Sequence, residues 1–399
     1  MTDTPVGRWD TDFDVLSPEY VADPYRIWDE LRSACPVAHT DRRGSTWLPT
    51  RYQDVVDLAH DVGHFSSTEI SVIPFRGDPP DEPVLVYGLP PISADPPLHT
   101  WTRRLLLPWF SHARVEGYEA MTRALCAELL DGFVAAGSAD AARDYAQQIP
   151  VRVIASILGV PASLSDRFTE WVRDVLEFAD DPERRAHGVE GLIGFFVEEV
   201  TKRQTEPGDD LLSDLLHSEF EGQAVDPRLV LGVAALVLIA GVDTTWSAIG
   251  SSLWHLATHP EDRQRLASDP EAMPLALEEL LRAYSPVTMA RVVTEDIEFA
   301  GCPMKAGDKV LMNFPAANRD PEAFENPDRV ELGRQLNRHV AFGSGIHRCA
   351  GSNLARMELR VALEQWLVRI PDFHLADGAE VTWAGGQVRG PRQLPVAFP

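Results

Sequence analysis

From Pro227 to Thr258 the sequence holds one unbroken helical pattern whose middle is apolar on every face. At 1.5 Å per residue such a helix runs roughly 45–50 Å. A helix that is hydrophobic all round cannot lie on a wet surface, so it threads either a large core or a membrane. The longest apolar run inside it, Leu229 to Val242, falls about four residues short of a bilayer crossing. Burial in a protein core is therefore expected, and a chain of 399 residues is long enough to build one.

Inside that helix sits Ala240-Gly241-Val242-Asp243-Thr244-Thr245. An acid and two hydroxyls are costly to bury without partners. Two readings stay open. Thr244 can bond back to the carbonyl of Ala240 and merely bend the helix. Alternatively, Asp243 and Thr244 form a proton relay at a widened turn, with Gly241 leaving room for a small ligand.

A second constraint is the run Phe342-Gly343-Ser344-Gly345-Ile346-His347-Arg348-Cys349-Ala350-Gly351, which opens a helical pattern at Ser352-Asn353-Leu354-Ala355. Its glycines permit backbone angles and close approaches that a Cβ forbids. A lone cysteine is most often a small buried hydrophobe. At a helix N-terminus, however, the peptide dipoles depress a thiol pKa and favour a metal-bound thiolate. With Phe342, His347 and Arg348 around it, Cys349 is a candidate axial ligand for haem iron.

That decapeptide resembles the haem-ligand signature of the cytochrome P450 family, phenylalanine-glycine-x-glycine-x-His/Arg-x-cysteine-x-glycine, with each fixed position filled. Ala240 to Thr245 resembles the family's Ala/Gly-Gly-x-Asp/Glu-Thr-Thr, and Glu279-Leu280-Leu281-Arg282 its Glu-x-x-Arg. Read alone, Glu279 and Arg282 would be an ordinary surface pair. His99 and Arg103, four apart after Asp95-Pro96-Pro97, share a helix face. They could hold one anion, or could simply be a solvated basic face. The family places the matching pair on a haem propionate.

The resemblance implies a mainly α (α+β) fold: many helices with small β-sheets enclosing a haem, one domain over residues 1–399 with no fused reductase. It implies haem b held by Cys349 as metal ligand, with Phe342, Gly343, Gly351, Ala240 and Gly241 against it. His99, Arg103, Arg291 and His339 would meet its propionates, and Glu279, Arg282 and Arg329 would lock the core behind it. Asp243 and Thr244 would deliver protons during oxygen activation, making the protein a monooxygenase that uses O2 and, through a reductase, NAD(P)H. The pocket would be lined by Ile73, Phe75, Val84, Val86, Leu236, Ala240, Val287, Met289 and Val388; Arg76 and Arg389 could either anchor a carboxylate or lie exposed on the surface. Its guest would be a small-to-medium, mostly apolar organic molecule.

Composition limits the partners. A net charge of −25 argues against nucleic acid. Cys35, Cys126, Cys302 and Cys349 show no C-x-x-C spacing, so neither a disulfide framework nor a zinc site is suggested. Met1-Thr2-Asp3-Thr4-Pro5 carries no basic and apolar leader, so a soluble cytoplasmic enzyme, taken as a monomer, is expected. Arg334, Arg338, Arg348, Arg356 and Arg360 share their stretch with one acid, Glu358. That local excess suggests docking of an acidic ferredoxin or flavodoxin. Two other readings use the same haem: an isomerase, dehydratase or peroxide-driven oxidant, and a non-catalytic sensor. The Asp243-Thr244 pair speaks against the first.

Overall fold

The computed structural model describes residues 5–74, 85–220 and 222–399, the side chain of Phe220 excepted. The first third sets α1 (Pro24–Ala34), β1 (Val37–Thr40), β2 (Thr46–Pro49), α2 (Tyr52–His60), β3 (Phe65–Ser66) and α3 (Leu98–Leu106). A largely helical run follows: α4 (His112–Phe133), β4 (Ser138–Asp140), α5 (Gln148–Leu158), α6 (Ser165–Leu176), α7 (Pro182–Thr205) and α8 (Leu211–Leu216). The long helix is α9 (Pro227–Thr258), followed by α10 (Met273–Ala283), β5 (Met289–Val293), β6 (Lys309–Met312) and α11 (Ser352–Arg369). The chain closes on β7 (His374–Leu375), β8 (Thr382–Ala384), β9 (Gly390–Gln393) and β10 (Pro395–Ala397).

Helix starts follow local chemistry. Asp23, Asp181 and Asp226 each precede a proline and accept a backbone N–H from the first turn of α1, α7 and α9. This pairs a capping carboxylate with a residue that has no N–H to satisfy. Asp210 caps α8 through the Ser213 N–H at 2.8 Å.

α9 runs without interruption and is buried over most of its length. By length and composition it could cross a membrane, yet 78% of its most apolar stretch is buried within this protein. Its apolar faces are met by α5, α6, α7, α11 and β9. That multiplicity of neighbours explains why no side of it needed polar residues.

The main sheet has the order β1-β2-β6-β5-β3. β6 pairs parallel to β2 (Val310 opposite Trp47) and antiparallel to β5 (Leu311 opposite Ala290). Val292 and Val293 of β5 take β3 on the other side. The C-terminal strands form the sheet β7-β10-β4 and the pair β8-β9. An isolated bridge joins Val287 to Val388, bringing two loops together beside the cavity described next.

Candidate functional site

A cavity of about 320 Å³ lies between α9 and the loop leading into α11. Leu236, Ala240, Gly241, Thr244 and Thr245 form one wall; Phe342, Gly343, His347, Cys349 and Gly351 lie on the other. The loop turns through left-handed Gly343 (φ 72°) and Gly345 (φ 67°). A Cβ on Gly345 would stand 2.1 Å from the carbonyl of Ala59, so α2 can approach only a glycine there. The Cys349 N–H donates to Phe342 O at 2.8 Å and closes the loop.

The Cys349 side chain lies deep in the protein, and its exposed surface opens onto the cavity. Burial pushes its thiol above the ordinary value, against the pull of the Gly351 N–H, Arg103, Arg348 and Arg356. The depression expected from a helix N-terminus is present but outweighed by desolvation.

Basic groups gather beside the loop. Arg103 lines the cavity and donates to Arg348 O at 2.6 Å. Arg291 leaves β5 into the cavity and donates to Ala290 O at 2.7 Å; burial lowers its pKa to about 10. His347 also lines the cavity, bonded to Ser67 Oγ at 2.8 Å. Its pKa is lowered to about 3, by burial first and then by Arg291, His99 and Arg103. His99 lies against it, ring centroids 4.3 Å apart, with Nε2 donating to Ile346 O at 3.1 Å and buried Nδ1 lacking a partner. Among the described residues no ion pair joins any of these four groups to an acid.

His339 is a correction. It does not reach the cavity but bonds Glu278 Oε2 at 2.9 Å, and Glu278 also takes Arg356 at 2.6 and 2.8 Å. Arg356 in turn lies 4.3 Å over the Phe342 ring. The two left-handed glycines redirect the chain, so the histidine two before Cys349 enters the cavity instead of the one three before Phe342. The motif itself carried that signal in His347.

On α9, Thr244 faces the cavity while its hydroxyl donates to Ala240 O at 2.8 Å. The back-bonding reading is therefore realised, within a helix that stays regular. Gly241 has a packing cause: its Cβ would stand 2.6 Å from Ile154 Cδ1 on α5. Asp243 is fully buried and off the cavity wall. Arg392 of β9 donates to its Oδ1 at 2.6 Å, and Oδ2 has no partner. Burial pushes its pKa up to about 6, against the pull of Arg392. Arg392 also bonds Ser247 at 3.0 Å and pairs with Glu177, a hub that nothing in the sequence pattern announced.

A family model, Cytochrome P450, matches residues 183–370. Mycinamicin IV hydroxylase/epoxidase of Micromonospora griseorubida is 36% identical, over 88% of this chain and 89% of that one. Vitamin D(3) 25-hydroxylase of Pseudonocardia autotrophica is 36% identical over 96% of both. The chain belongs to the cytochrome P450 family. Among solved structures, CYP109E1 from Bacillus megaterium in complex with testosterone superposes with a TM-score of 0.87 at 29% identity, covering 95% of this chain and 99% of that one. The P450 fold and a monooxygenase activity on small organic molecules follow.

P450s carry a haem, and the residues here suit one. A thiol for iron faces an apolar cavity, and four basic groups with an orphaned imidazole nitrogen wait beside it for carboxylates. Behind the loop, Glu279 and Arg282 are wholly buried and joined at 2.8 Å. Their third side-chain partner is Arg334, whose Nε donates to Glu279 at 2.9 Å. Arg329, expected in that role, is exposed and contributes only its carbonyl to Arg282. The turn from Asn326 to Arg329 points its backbone inward, leaving the side-chain position to a residue further on.

Of the expected pocket residues, Ile73, Leu236, Ala240, Val287, Met289 and Val388 line the cavity. Phe75, Arg76 and Val84 lie outside the described residues. Val86 is a correction: it is 49% exposed and off the cavity wall, while its neighbour Leu85 packs on the core. Arg389 is no anchor, being bound to Val21 O, Ala22 O and Tyr25 Oη and stacked on Trp383.

Proposed function

We propose that the cavity holds haem b with Cys349 as its axial ligand. Phe342, Gly343, Gly351, Ala240 and Gly241 would lie against the macrocycle, and His99, Arg103, Arg291 and His347 around its propionates. The reading rests above all on one observation: a single thiol opening onto a cavity whose rim collects cations without described acids to match them. When bound, thiolate-ligated haem supplies an electron-rich iron at which dioxygen is activated. The chain's own residues then manage protons and water. Thr244 Oγ1, rotating off Ala240 O, offers a hydrogen bond at the cavity face of α9. Asp243, its pKa pushed up to about 6 and its Oδ2 bare, can carry a proton from the buried side toward it. The apolar wall excludes bulk water, so that this pair governs proton entry.

The substrate is a small-to-medium, mostly apolar organic molecule, as the wall residues favour. Electrons come from a ferredoxin or flavodoxin fed by an NAD(P)H-dependent reductase. The docking surface is smaller than the run of five arginines suggested. Arg334 is buried on Glu279, Arg356 is held by Glu278, and Arg360 by Glu119 and Glu364. Arg338 and Arg348 remain exposed, with Leu336 82% and Ile346 36% exposed beside them in sequence. A soluble, cytoplasmic, monomeric protein acting as one haem-binding unit fits the burial of α9.

The deciding experiment is the absorption spectrum of the reduced, carbonyl-bound protein. A red-shifted Soret band that disappears in Cys349→Ser is expected. Thr244→Ala should retain substrate binding while releasing more hydrogen peroxide per NAD(P)H consumed. An unchanged band in Cys349→Ser, or unchanged coupling in Thr244→Ala, would refute the corresponding assignment.

A further inference from the structure

Two cysteines outside the cavity converge on one backbone oxygen. Cys35 follows the last residue of α1, and Cys302 opens the second strand of the hairpin Ile297–Phe299/Cys302–Met304; both are half-buried free thiols. The Cys35 Sγ donates to Val37 O at 3.4 Å, and the Cys302 Sγ points at the same oxygen from 4.0 Å. The sulfurs are therefore no further apart than those two lengths laid end to end. Burial, then Cys35 and Asp54, push the Cys302 thiol above its ordinary value, so the two sulfurs also sense each other electrostatically. Cys126, by contrast, is sealed in the core with its thiol pushed up to about 12, and Cys349 opens onto the cavity.

Little holds either thiol in place. An S–H group is a weak donor, and here both compete for a single carbonyl. The hairpin forms a two-stranded sheet of its own and turns through left-handed Ala300 (φ 49°) and Gly301 (φ 79°). Cys35 lies in the short connection between α1 and β1. Each thiol can leave Val37 O for another staggered χ1 position, which is the movement an S–S bond of ~2 Å requires. The ordinary alternative is that two small side chains simply pack there, as Cys302 does against the cluster around Val37 and Met304. Packing accounts for their burial, but it gives them no reason to oxidise together.

We propose that Cys35 and Cys302 are a redox pair that hydrogen peroxide closes to an intramolecular disulfide, stapling the hairpin to the chain that enters β1. One thiolate attacks the peroxide O–O bond, becomes a sulfenic acid and releases one water. The second thiolate attacks that sulfur; the S–S bond forms and the oxygen leaves as a second water. The sulfurs lose two electrons, the peroxide takes them, and the two thiol protons end in the waters. In the reducing cytoplasm proposed for this protein, such a bond is transient and is undone by thiol exchange. Peroxide is the by-product of an uncoupled monooxygenase cycle, so the oxidant is one that the proposed activity would itself release. The closure needs neither haem nor turnover. No spacing announced the pair, because its members come from distant parts of the chain.

The test treats the reduced holoenzyme with hydrogen peroxide, blocks the remaining thiols with iodoacetamide and maps the peptides by mass spectrometry without reduction. Cys35 and Cys302 should escape alkylation together and appear in one linked peptide pair, and dithiothreitol should restore both. Phenylarsine oxide, whose arsenic bridges neighbouring thiols, should protect both from alkylation with no oxidant present. In Cys35→Ser or Cys302→Ser the remaining thiol should stop at the sulfenic acid and be captured by dimedone. The bond closes a loop that takes in most of the chain, so the oxidised protein should unfold at a higher urea midpoint, a shift that dithiothreitol abolishes. Sulfenic acids at both positions of the unaltered protein, with no linked peptide, would overturn the proposal. So would a disulfide joining two molecules, or an oxidised protein whose midpoint does not move. The peptide map of the unaltered protein needs no variant, so it decides the matter even where a substitution fails to fold. A missing thiolate band in the carbonyl spectrum, recorded before oxidation, would instead count against the haem assignment and leave this pair untouched.

Discussion

Replacing Arg334 with alanine separates two accounts of the clamp behind the cavity. Glu279 accepts from Arg282 Nε and Nη2 at 2.8 Å, from the Glu331 N–H at 2.8 Å, from Arg334 Nε at 2.9 Å and from Asn337 at 3.1 Å. Without Arg334 the carboxylate keeps Arg282, so its charge is not stranded. What is lost is one charge-assisted bond, worth ~1.5–3 kcal/mol, and the Arg334 bond to Glu325 O at 2.8 Å, worth ~1 kcal/mol. A destabilisation of about 3 kcal/mol results, at the lower edge of the ~3–5 kcal/mol seen when a buried pair is broken outright. Arg329→Ala removes an exposed side chain and leaves its carbonyl on Arg282, so its effect should stay within ~0.5 kcal/mol.

Equilibrium denaturation in guanidinium, followed by tryptophan fluorescence, measures both variants. A pH series adds an independent check. Burial pushes the Glu279 pKa up, but Arg282, the Glu331 N–H and Arg334 together hold it below 4.5. Its contribution is thus present above pH 4.5 and fades as pH falls through the lower folded value. The deficit of Arg334→Ala should shrink over that same acid range. Equal destabilisation by the two substitutions, or a deficit independent of pH, would refute the assignment of Arg334 as the third partner.

Three further outcomes are expected. His347→Ala should speed haem transfer to apomyoglobin by ~10- to 100-fold, the loss of one charge-assisted bond, with His339→Ala changing it less than about threefold; the reverse order would restore His339 to the rim. Glu358 is fully buried, its Oε2 has no partner, and burial alone raises its pKa from 4.5 to about 8. The folded state therefore holds a proton that the unfolded chain releases, and stability relative to Glu358→Gln should fall by ~1.4 kcal/mol per pH unit between about 4.5 and 8, then level off; a pH-independent difference in urea midpoints would contradict this. Arg338→Glu should slow reduction by ferredoxin, more so at low ionic strength, and a rate insensitive to both charge and salt would remove Arg338 from the docking face.

The sequence located elements better than it located side chains. Pro227–Thr258 is readable to the residue because a capping aspartate, a proline and an all-round apolar face agree on one answer. Loop 342–351 is equally legible, since its glycines serve backbone geometry that no other residue tolerates. What spacing does not fix is which of several neighbouring candidates turns inward. His339 and His347, or Arg329 and Arg334, are chemically interchangeable on paper. Left-handed turns at Gly343 and Gly345, and a backbone that offers Arg329 O in place of its guanidinium, decide between them. Arg392 was invisible for a different reason. It reaches Asp243 from a strand 149 positions away, and no local pattern encodes such a contact.

Charge supplies a way to read what spacing does not. This chain carries −25, so acids are available in excess to neutralise any cation that folding places inside. Most buried arginines have been neutralised in that way: Arg203 by Asp210 and Glu199, Arg282 and Arg334 by Glu279, Arg392 by Asp243 and Glu177. Arg103 and Arg291 on the cavity wall show no such ion pairs among the described residues. Both give their described bonds to carbonyls. In an acid-rich chain, retaining charge where low dielectric makes it most costly is difficult to account for by folding stability alone. Complementarity to anions that arrive after folding accounts for it. The group around Cys349 would suit the two propionates of the haem proposed there.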